Sequence, residues 1–413
     1  VSRHGLAYEQ APPFGVPLLF MLVAPAFLFA AGVLAMFPHW TAGLLAPRTV
    51  ALTHLLTLGF LGLVMLGALT QMLPVVGGVP VPGAVWVGRI AWAGLTLGTP
   101  LLAWAMDAMH TGALRLAAGW IALTLCPYLA AGALALARAR SIDTVRGMRL
   151  AVAALPVVVL LGLGLVAWLR GDWQPADPLR WLERHALAGL AGWIGMLVVA
   201  TAWQVVPMLQ VTPPYPPRLT RALAWGLGVS LAWALLAPSP WQRIGHAGIG
   251  VGLIAFALVT LDVLRRRRRK TPDVTLDYWR VAMTCLIAAC LLFLTGGPNT
   301  PRLLAGVLFL LGFAVSVTHG MLGKIVPFLA WFHLQSRRNG RGAGLPTMKD
   351  FLPDCAARRQ FRLHVAALAC LAGAPFLPAL AIPGGALLAA SAFVLALNLV
   401  RAARLYLSHG GGF

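Results

Sequence analysis

The chain has 413 residues, of which 60% are hydrophobic and only 10% charged. A soluble domain carries about a quarter charged residues, so this composition excludes an ordinary water-soluble globule and points to an integral membrane protein. The net charge of +21 does not imply nucleic acid, because the Arg residues sit between apolar runs, where they orient helices against a membrane.

Apolar runs of about twenty residues, the length that crosses a hydrocarbon core, recur along the chain. They predict an all-α fold of twelve spans over 16–38, 50–76, 84–106, 112–136, 149–169, 183–209, 220–237, 245–264, 279–297, 302–332, 361–380 and 384–405. The first run is long and many others follow, so it reads as an anchor and not as a cleaved signal peptide. Proline and glycine separate the runs, at Pro38, Pro80 to Pro82, Pro213 to Pro217, Pro238 to Pro240, Gly296 to Pro298 and Pro383 to Gly385. The even-to-odd loops carry Arg138, Arg140, Arg146 and Arg149, then Arg265 to Arg269 with Lys270. The last of them carries Arg337, Arg338, Arg341, Lys349, Arg358 and Arg359. The odd-to-even loops carry Asp107, Asp172, Asp177 and Glu183. The positive-inside rule therefore expects both termini in the cytoplasm and the protein in the inner (cytoplasmic) membrane. Five cysteines (Cys126, Cys285, Cys290, Cys355, Cys370) form no Cys-x-x-Cys pair and read as buried small hydrophobes.

Spans two, six and ten share one pattern. Gly59-Phe60 is followed by Gln71 and Pro74, Gly192-Trp193 by Gln204 and Pro207, and Gly312-Phe313 by Lys324 and Pro327. In each, Gln or Lys lies twelve residues after Gly and Pro fifteen after it. The single membrane domain, 1–413, thus reads as three four-helix repeats, approximately 16–136, 149–264 and 279–405, arranged as three arcs about a pseudo-threefold axis. Glycine lets a neighbouring helix approach closely. Proline frees a backbone carbonyl that Gln or Lys could bond. Alternatively, the triplet simply ends the helix and Lys324 snorkels to the cytoplasmic face.

Ten histidines are present, and imidazole inside a membrane is costly and often functional. His54 and His185 precede their repeat glycines by five and seven residues, which places them at nearly the same depth near the outer ends of spans two and six. The third repeat has its histidine, His319, seven residues after Gly312, roughly 18 Å deeper at 1.5 Å per residue. Neutral imidazole is a good axial ligand for haem iron and a good ligand for copper, so His54, His185 and His319 are the cofactor and metal candidates. A histidine bonded to a neighbouring helix or seated at the headgroups fits the same positions. His39, His110 and His246 belong in or beside outer loops. His4, His333, His364 and His409 read as cytoplasmic-side interface residues. No acidic residue falls mid-span, which disfavours an ion-coupled carrier.

Three four-helix arcs with histidines on spans two, six and ten resemble the main subunit of the haem-copper oxidases. The chain is similar, more closely, to the NnrS family of haem- and copper-containing membrane proteins linked to nitric oxide. The second helix of that family reads His-Glu-Met-Leu-Phe-Gly-Phe, then Gly-Phe-Leu-Leu-Thr-Ala-Val-Pro. The same register here reads His54-Leu55-Leu56-Thr57-Leu58-Gly59-Phe60, then Gly67-Ala68-Leu69-Thr70-Gln71-Met72-Leu73-Pro74. The Arg-Val-Ile-Pro-Phe segment of that family is similar to Gln204-Val205-Val206-Pro207-Met208. The resemblance implies haem, with copper as a further cofactor, in respiratory or nitric oxide metabolism, and a haem-dependent oxidoreductase if the chain is an enzyme. His54 carries over directly, and His185 through the internal repeat. The adjacent histidine pair of the oxidase copper site is absent, which argues against full oxygen reduction. The implied partners are the bilayer and a periplasmic electron-transfer protein or a respiratory complex. Two other functions fit the carboxylate-free interior: an uncoupled permease or channel for a small solute, and a cofactor-free accessory or assembly subunit of an oxidase.

Overall fold

The computed structural model describes residues 7–269, 271–337 and 344–412, so His4, Lys270, Arg338 and Arg341 lie outside the described residues. Twelve helical rods are present among them: α1 Gly15–Ala35, α2 Pro47–Gly77, α3 Ala84–Asp107, α4 Thr111–Arg138, α5 Asp143–Leu169, α6 Pro178–Gln210, α7 Pro217–Leu236, α8 Gln242–Arg265, α9 Val274–Thr295, α10 Asn299–Arg337, α11 Asp354–Gly373 and α12 Ala381–Ser408. Ten are long and apolar enough to cross a bilayer, so the chain is an all-α membrane protein. The two that fall short are α3 and α11, and α11 carries Asp354, Arg358, Arg359 and Arg362.

Local chemistry sets the ends of the rods. Pro47, Pro178 and Pro217 open α2, α6 and α7, where a missing N–H costs nothing. Asp177 and Asp273 cap α6 and α9 by accepting from the amides of Arg180 and Thr275. Gly78 and Gly296 close α2 and α9 at φ +72° and +61°, a left-handed turn that favours glycine. Several boundaries depart from the hydropathy pattern: α5, α6 and α9 start at Asp143, Pro178 and Val274 and not at 149, 183 and 279, and α10 runs on to Arg337. The rod α11 starts at Asp354 and not near 361, because apolar content cannot reveal a helix whose first turns are charged. Pro383 and Gly385 lie inside α12 and do not precede it. Pro383 fits in the first turn, and Gly385 is where α12 meets α1: a Cβ there would stand 2.5 Å from the Gly32 carbonyl oxygen.

Packing follows a recurring order. The first rod of each four packs on the second, α1 on α2, α5 on α6 and α9 on α10. The third packs on the fourth, α3 on α4, α7 on α8 and α11 on α12. Then α4 packs on α5, α8 on α9, and α12 returns to α1. The second rods form the middle. In α2, α6 and α10, 67, 72 and 67% of the apolar window is buried inside the protein, against at most 56% elsewhere among the ten.

Each middle rod is interrupted by one eight-residue π-helical segment: Leu55–Gly62 in α2, Ala188–Gly195 in α6 and Leu308–Val315 in α10. Gly59, Gly192 and Gly312 are each the fifth residue of their segment. All three serve close approach. A Cβ on Gly59 would stand 2.5 Å from the Phe27 ring of α1. On Gly192 it would stand 2.9 Å from Ala154 of α5, and on Gly312 2.6 Å from the Cys285 Cβ of α9. The expected close packing at these glycines is thus present, and each accepts a side chain from the first rod of its own four.

Candidate functional site

His54 is the last α-helical residue before the first π segment, and His185 lies three residues before the second. The fold brings them together, with ring centroids 6.1 Å apart and planes within 19° of parallel. Each ring is anchored through Nδ1. His54 donates to the Val50 carbonyl one turn earlier at 2.8 Å, and His185 to the Val158 carbonyl of α5 at 3.1 Å. A carbonyl only accepts, so both bonds place the ring proton on Nδ1 and the lone pair on Nε2. Neither Nε2 has a hydrogen-bond partner among the described residues. Gly162 makes room for the second ring, since a Cβ there would stand 3.1 Å from His185 Cε1. Beside His185, Arg184 has no ion-pair partner among the described residues, and its Nε is buried without a hydrogen bond.

The fit to a metal centre follows from lengths. A metal–imidazole bond of about 2.0 Å, with ~1.1 Å more to the ring centre, puts two rings on opposite sides of one ion roughly 6.2 Å apart. The observed separation matches. A backbone carbonyl on the far ring nitrogen is also the usual outer partner of a ligating histidine. Two neutral imidazoles with Nε2 left free are the donor chemistry that an iron between them would take.

His319 is not part of this pair. It lies fully buried on α10, with His364 of α11, Tyr278 of α9 and Phe60 of α2 around it, at centroid distances of 4.8, 5.9 and 5.5 Å. His364 is a correction: it is not an interface residue but is 1% exposed and packed on His319. Hydropathy missed it because its neighbours Arg358, Arg359 and Arg362 make the start of α11 look like a loop.

The other histidines among the described residues have structural partners. His39 Nδ1 accepts from Arg48, His110 Nδ1 accepts from the Ala113 amide and caps α4, and His246 Nε2 lies 3.1 Å from Glu183. His333 donates to the Leu329 carbonyl and stacks on Phe14, and His409 donates to the Leu405 carbonyl.

The repeat triplets diverge. Pro74, Pro207 and Pro327 all lie inside their helices, and α10 continues well past Pro327, so the triplet does not end that helix. No Gln or Lys bonds a freed carbonyl. Gln71 is buried with both amide atoms unpartnered, and Gln204 makes no hydrogen bond among the described residues. Lys324 reaches the amino-terminal end of α9 and pairs with its capping residue. Its Nζ lies 2.6 Å from Asp273 Oδ2, with both side chains mostly buried. Two cysteines also depart from expectation: Cys126 and Cys355 are exposed, while Cys290 is buried.

No protein-family model matches this chain, and no characterised protein matches it significantly in sequence.

Proposed function

We propose that this chain is a haem-binding membrane protein, with His54 and His185 as the axial ligands of one haem near the outer face. The observation that carries this reading is the pair of imidazoles 6.1 Å apart, each with its lone pair left on Nε2. The chain's architecture on this reading is twelve membrane-spanning helices in three four-helix arcs, similar to the NnrS family and to the main subunit of the haem-copper oxidases. The support is the recurring order of neighbours, closed by α12 on α1, and the π segment at one register in α2, α6 and α10. The Arg-rich loops then face the cytoplasm with both termini.

A haem in this place supplies one-electron chemistry whose potential depends on its ligands and their outer partners. The protein's own part is to orient and to tune. The Val50 and Val158 carbonyls fix the two tautomers and make each Nε2 a stronger donor. Arg184, the residue before His185 and without an ion-pair partner among the described residues, would be the cation to meet an acidic group on the bound ligand. With His54 and His185 both holding the haem, this reading would favour electron exchange with a periplasmic protein or respiratory complex over nitric oxide binding. Copper belongs to this reading only as a further cofactor away from the pair.

The test is an absorption spectrum of the protein purified in detergent after expression with ample haem. We expect a Soret band and sharp low-spin bands on reduction, both lost in His54→Ala and in His185→Ala. No Soret band in the wild type, with none after reconstitution, overturns the proposal.

A further inference from the structure

The arginines where α7 begins and α8 ends are not equally engaged. Arg266 pairs with Asp262, and Arg267 and Arg269 bond to Thr271. Arg218 and Arg221 in the first turns of α7, and Arg265 and Arg268 at the far end of α8, are exposed. None of these four side chains has an ion-pair or hydrogen-bond partner among the described residues. The carboxylates on the adjoining rods are already engaged, Asp143 by Arg146 and Thr220 and Asp262 by Arg266.

The fold gathers these cations and holds them in place. A Cβ on Gly245 would stand 2.4 Å from the Ala234 nitrogen, and one on Gly252 2.7 Å from Leu227. The two rods therefore run antiparallel, with the start of α7 beside the end of α8. Tyr215, just before α7, shares a 3.0 Å hydrogen bond with Thr260 of α8, and the Arg268 amide donates to the Val211 carbonyl at 2.9 Å. The Arg run is thus pinned against the entry to α7 and is not a free tail. Arg218 comes three residues after Tyr215, and Arg265 five after Thr260. Along α7, Arg218, Arg221, Trp225 and Val229 follow at helical spacings of three, four and four, which puts them on one face. Trp225 and Val229 are 61 and 62% exposed, and only 28% of the apolar window of α7 is buried inside the protein. This face meets lipid, and its arginines stand where the hydrocarbon gives way to headgroups.

We propose that Arg218, Arg221, Arg265 and Arg268 form a binding surface for the phosphate headgroup of an anionic phospholipid. A guanidinium offers paired N–H donors in a fork that matches two phosphate oxygens. Clustered cations at a membrane surface attract anionic lipid. The apolar stripe of Trp225 and Val229 below the arginines commits the surface to a lipid over a free anion, because it offers acyl chains a seat that inorganic phosphate cannot use. Topology alone does not ask for this arrangement. The positive-inside rule needs only that cations stay on one side, and Arg266, Arg267 and Arg269 satisfy it while bonded to the protein's own oxygens. The other four stand unpaired at the end of a lipid-facing rod, where like charges repel until an anion joins them. The orientation proposed above makes this the cytoplasmic leaflet. No step of the inference uses the haem.

The surface is tested by lipid titration. Full-length protein, delipidated in a neutral detergent, is titrated with phosphatidylglycerol or with phosphatidylcholine of the same acyl chains, and bound lipids are counted by native mass spectrometry. A guanidinium near an anionic headgroup contributes about fivefold in affinity, so the wild type should prefer phosphatidylglycerol by about a hundredfold or more. The double variants Arg218→Gln/Arg221→Gln and Arg265→Gln/Arg268→Gln should each lose roughly twentyfold of that preference. Arg115→Gln/Arg243→Gln removes two exposed cations from the opposite ends of the rods and should keep it. Excess inorganic phosphate should not displace the lipid. Equal affinity for the two lipids in the wild type overturns the proposal, as does a preference undiminished in both double variants or equally diminished in the control pair. Displacement by phosphate assigns the arginines to a soluble anion and overturns it too. If a variant does not fold, the wild type still decides: added salt should weaken phosphatidylglycerol binding and leave phosphatidylcholine binding unchanged, and an equal response to salt sinks the idea.

Discussion

At the scale of residues, polar groups in this membrane interior are oriented by partners that leave no choice of proton. The carbonyls of Val50 and Val158, and Ser316 acting through Leu311, fix three imidazoles. Lys324 and Asp273 are the charged counterpart. Their nitrogen and oxygen lie 2.6 Å apart, with side chains 14 and 13% exposed, so the pair is mostly shielded from solvent. Removing one partner leaves the other charge unpaired, and we expect Lys324→Ala to cost about 3 kcal/mol, read as a lower thermal midpoint in detergent. Burial by itself raises the Asp273 carboxyl, but the Lys324 ammonium and the Thr275 hydroxyl and amide outweigh it and hold the group below the usual carboxylate range. A depressed carboxyl contributes stability above its unfolded value of about 3.9 and loses it as the pH falls through the folded value. The wild type should therefore lose thermal stability below about pH 4 more steeply than Asp273→Asn. Equal acid slopes for the two would show that the pair does not couple to folding.

At the scale of elements, the π segments and their glycines are one device. Short π-helical stretches inside α-helices are rare and cluster at functional sites. Here three occur at one register, beside His54, beside His185 and next to Ser316. Each glycine lets a first rod press against the segment. Alanine at these sites drives a methyl into Phe27, into Leu231 and Ala154, or into Cys285. We expect Gly59→Ala, Gly192→Ala and Gly312→Ala each to cost about 1–3 kcal/mol by overpacking. Gly119 of α4 is the control, because a Cβ there meets nothing within 4 Å. Gly119→Ala should stabilise by about 0.4–1 kcal/mol. Thermal midpoints of the four variants, measured side by side, check the contrast.

At the scale of the molecule, the order of neighbours returns α12 to α1 and puts α2, α6 and α10 in the middle. Both histidine pairs draw on these middle rods, where burial is deepest. The proposed orientation puts the loop before α11 in the cytoplasm. Cys355, exposed near the start of α11, reports on it directly. A membrane-impermeant maleimide should label Cys355 in inside-out vesicles and not in right-side-out ones, with the signal lost in Cys355→Ser. Labelling from the outer side alone would invert the topology and put the His54–His185 pair at the cytoplasmic face.

The sequence alone determined the membrane class, the apolar helices and the threefold spacing of Gly, Gln or Lys, and Pro. Those features rest on apolar run length and on backbone chemistry, which are local. It also singled out His54 and His185, because a repeat places equivalent residues at equivalent depth. Tertiary structure decided which side chains meet. His364 belongs with His319, and Asp273 with Lys324, across 45 and 51 positions of chain. The π register was equally hidden, since a fifth-residue glycine has no signature apart from what packs against it. Pairing between helices depends on rotation and on which neighbour a glycine admits, and neither is written in hydropathy.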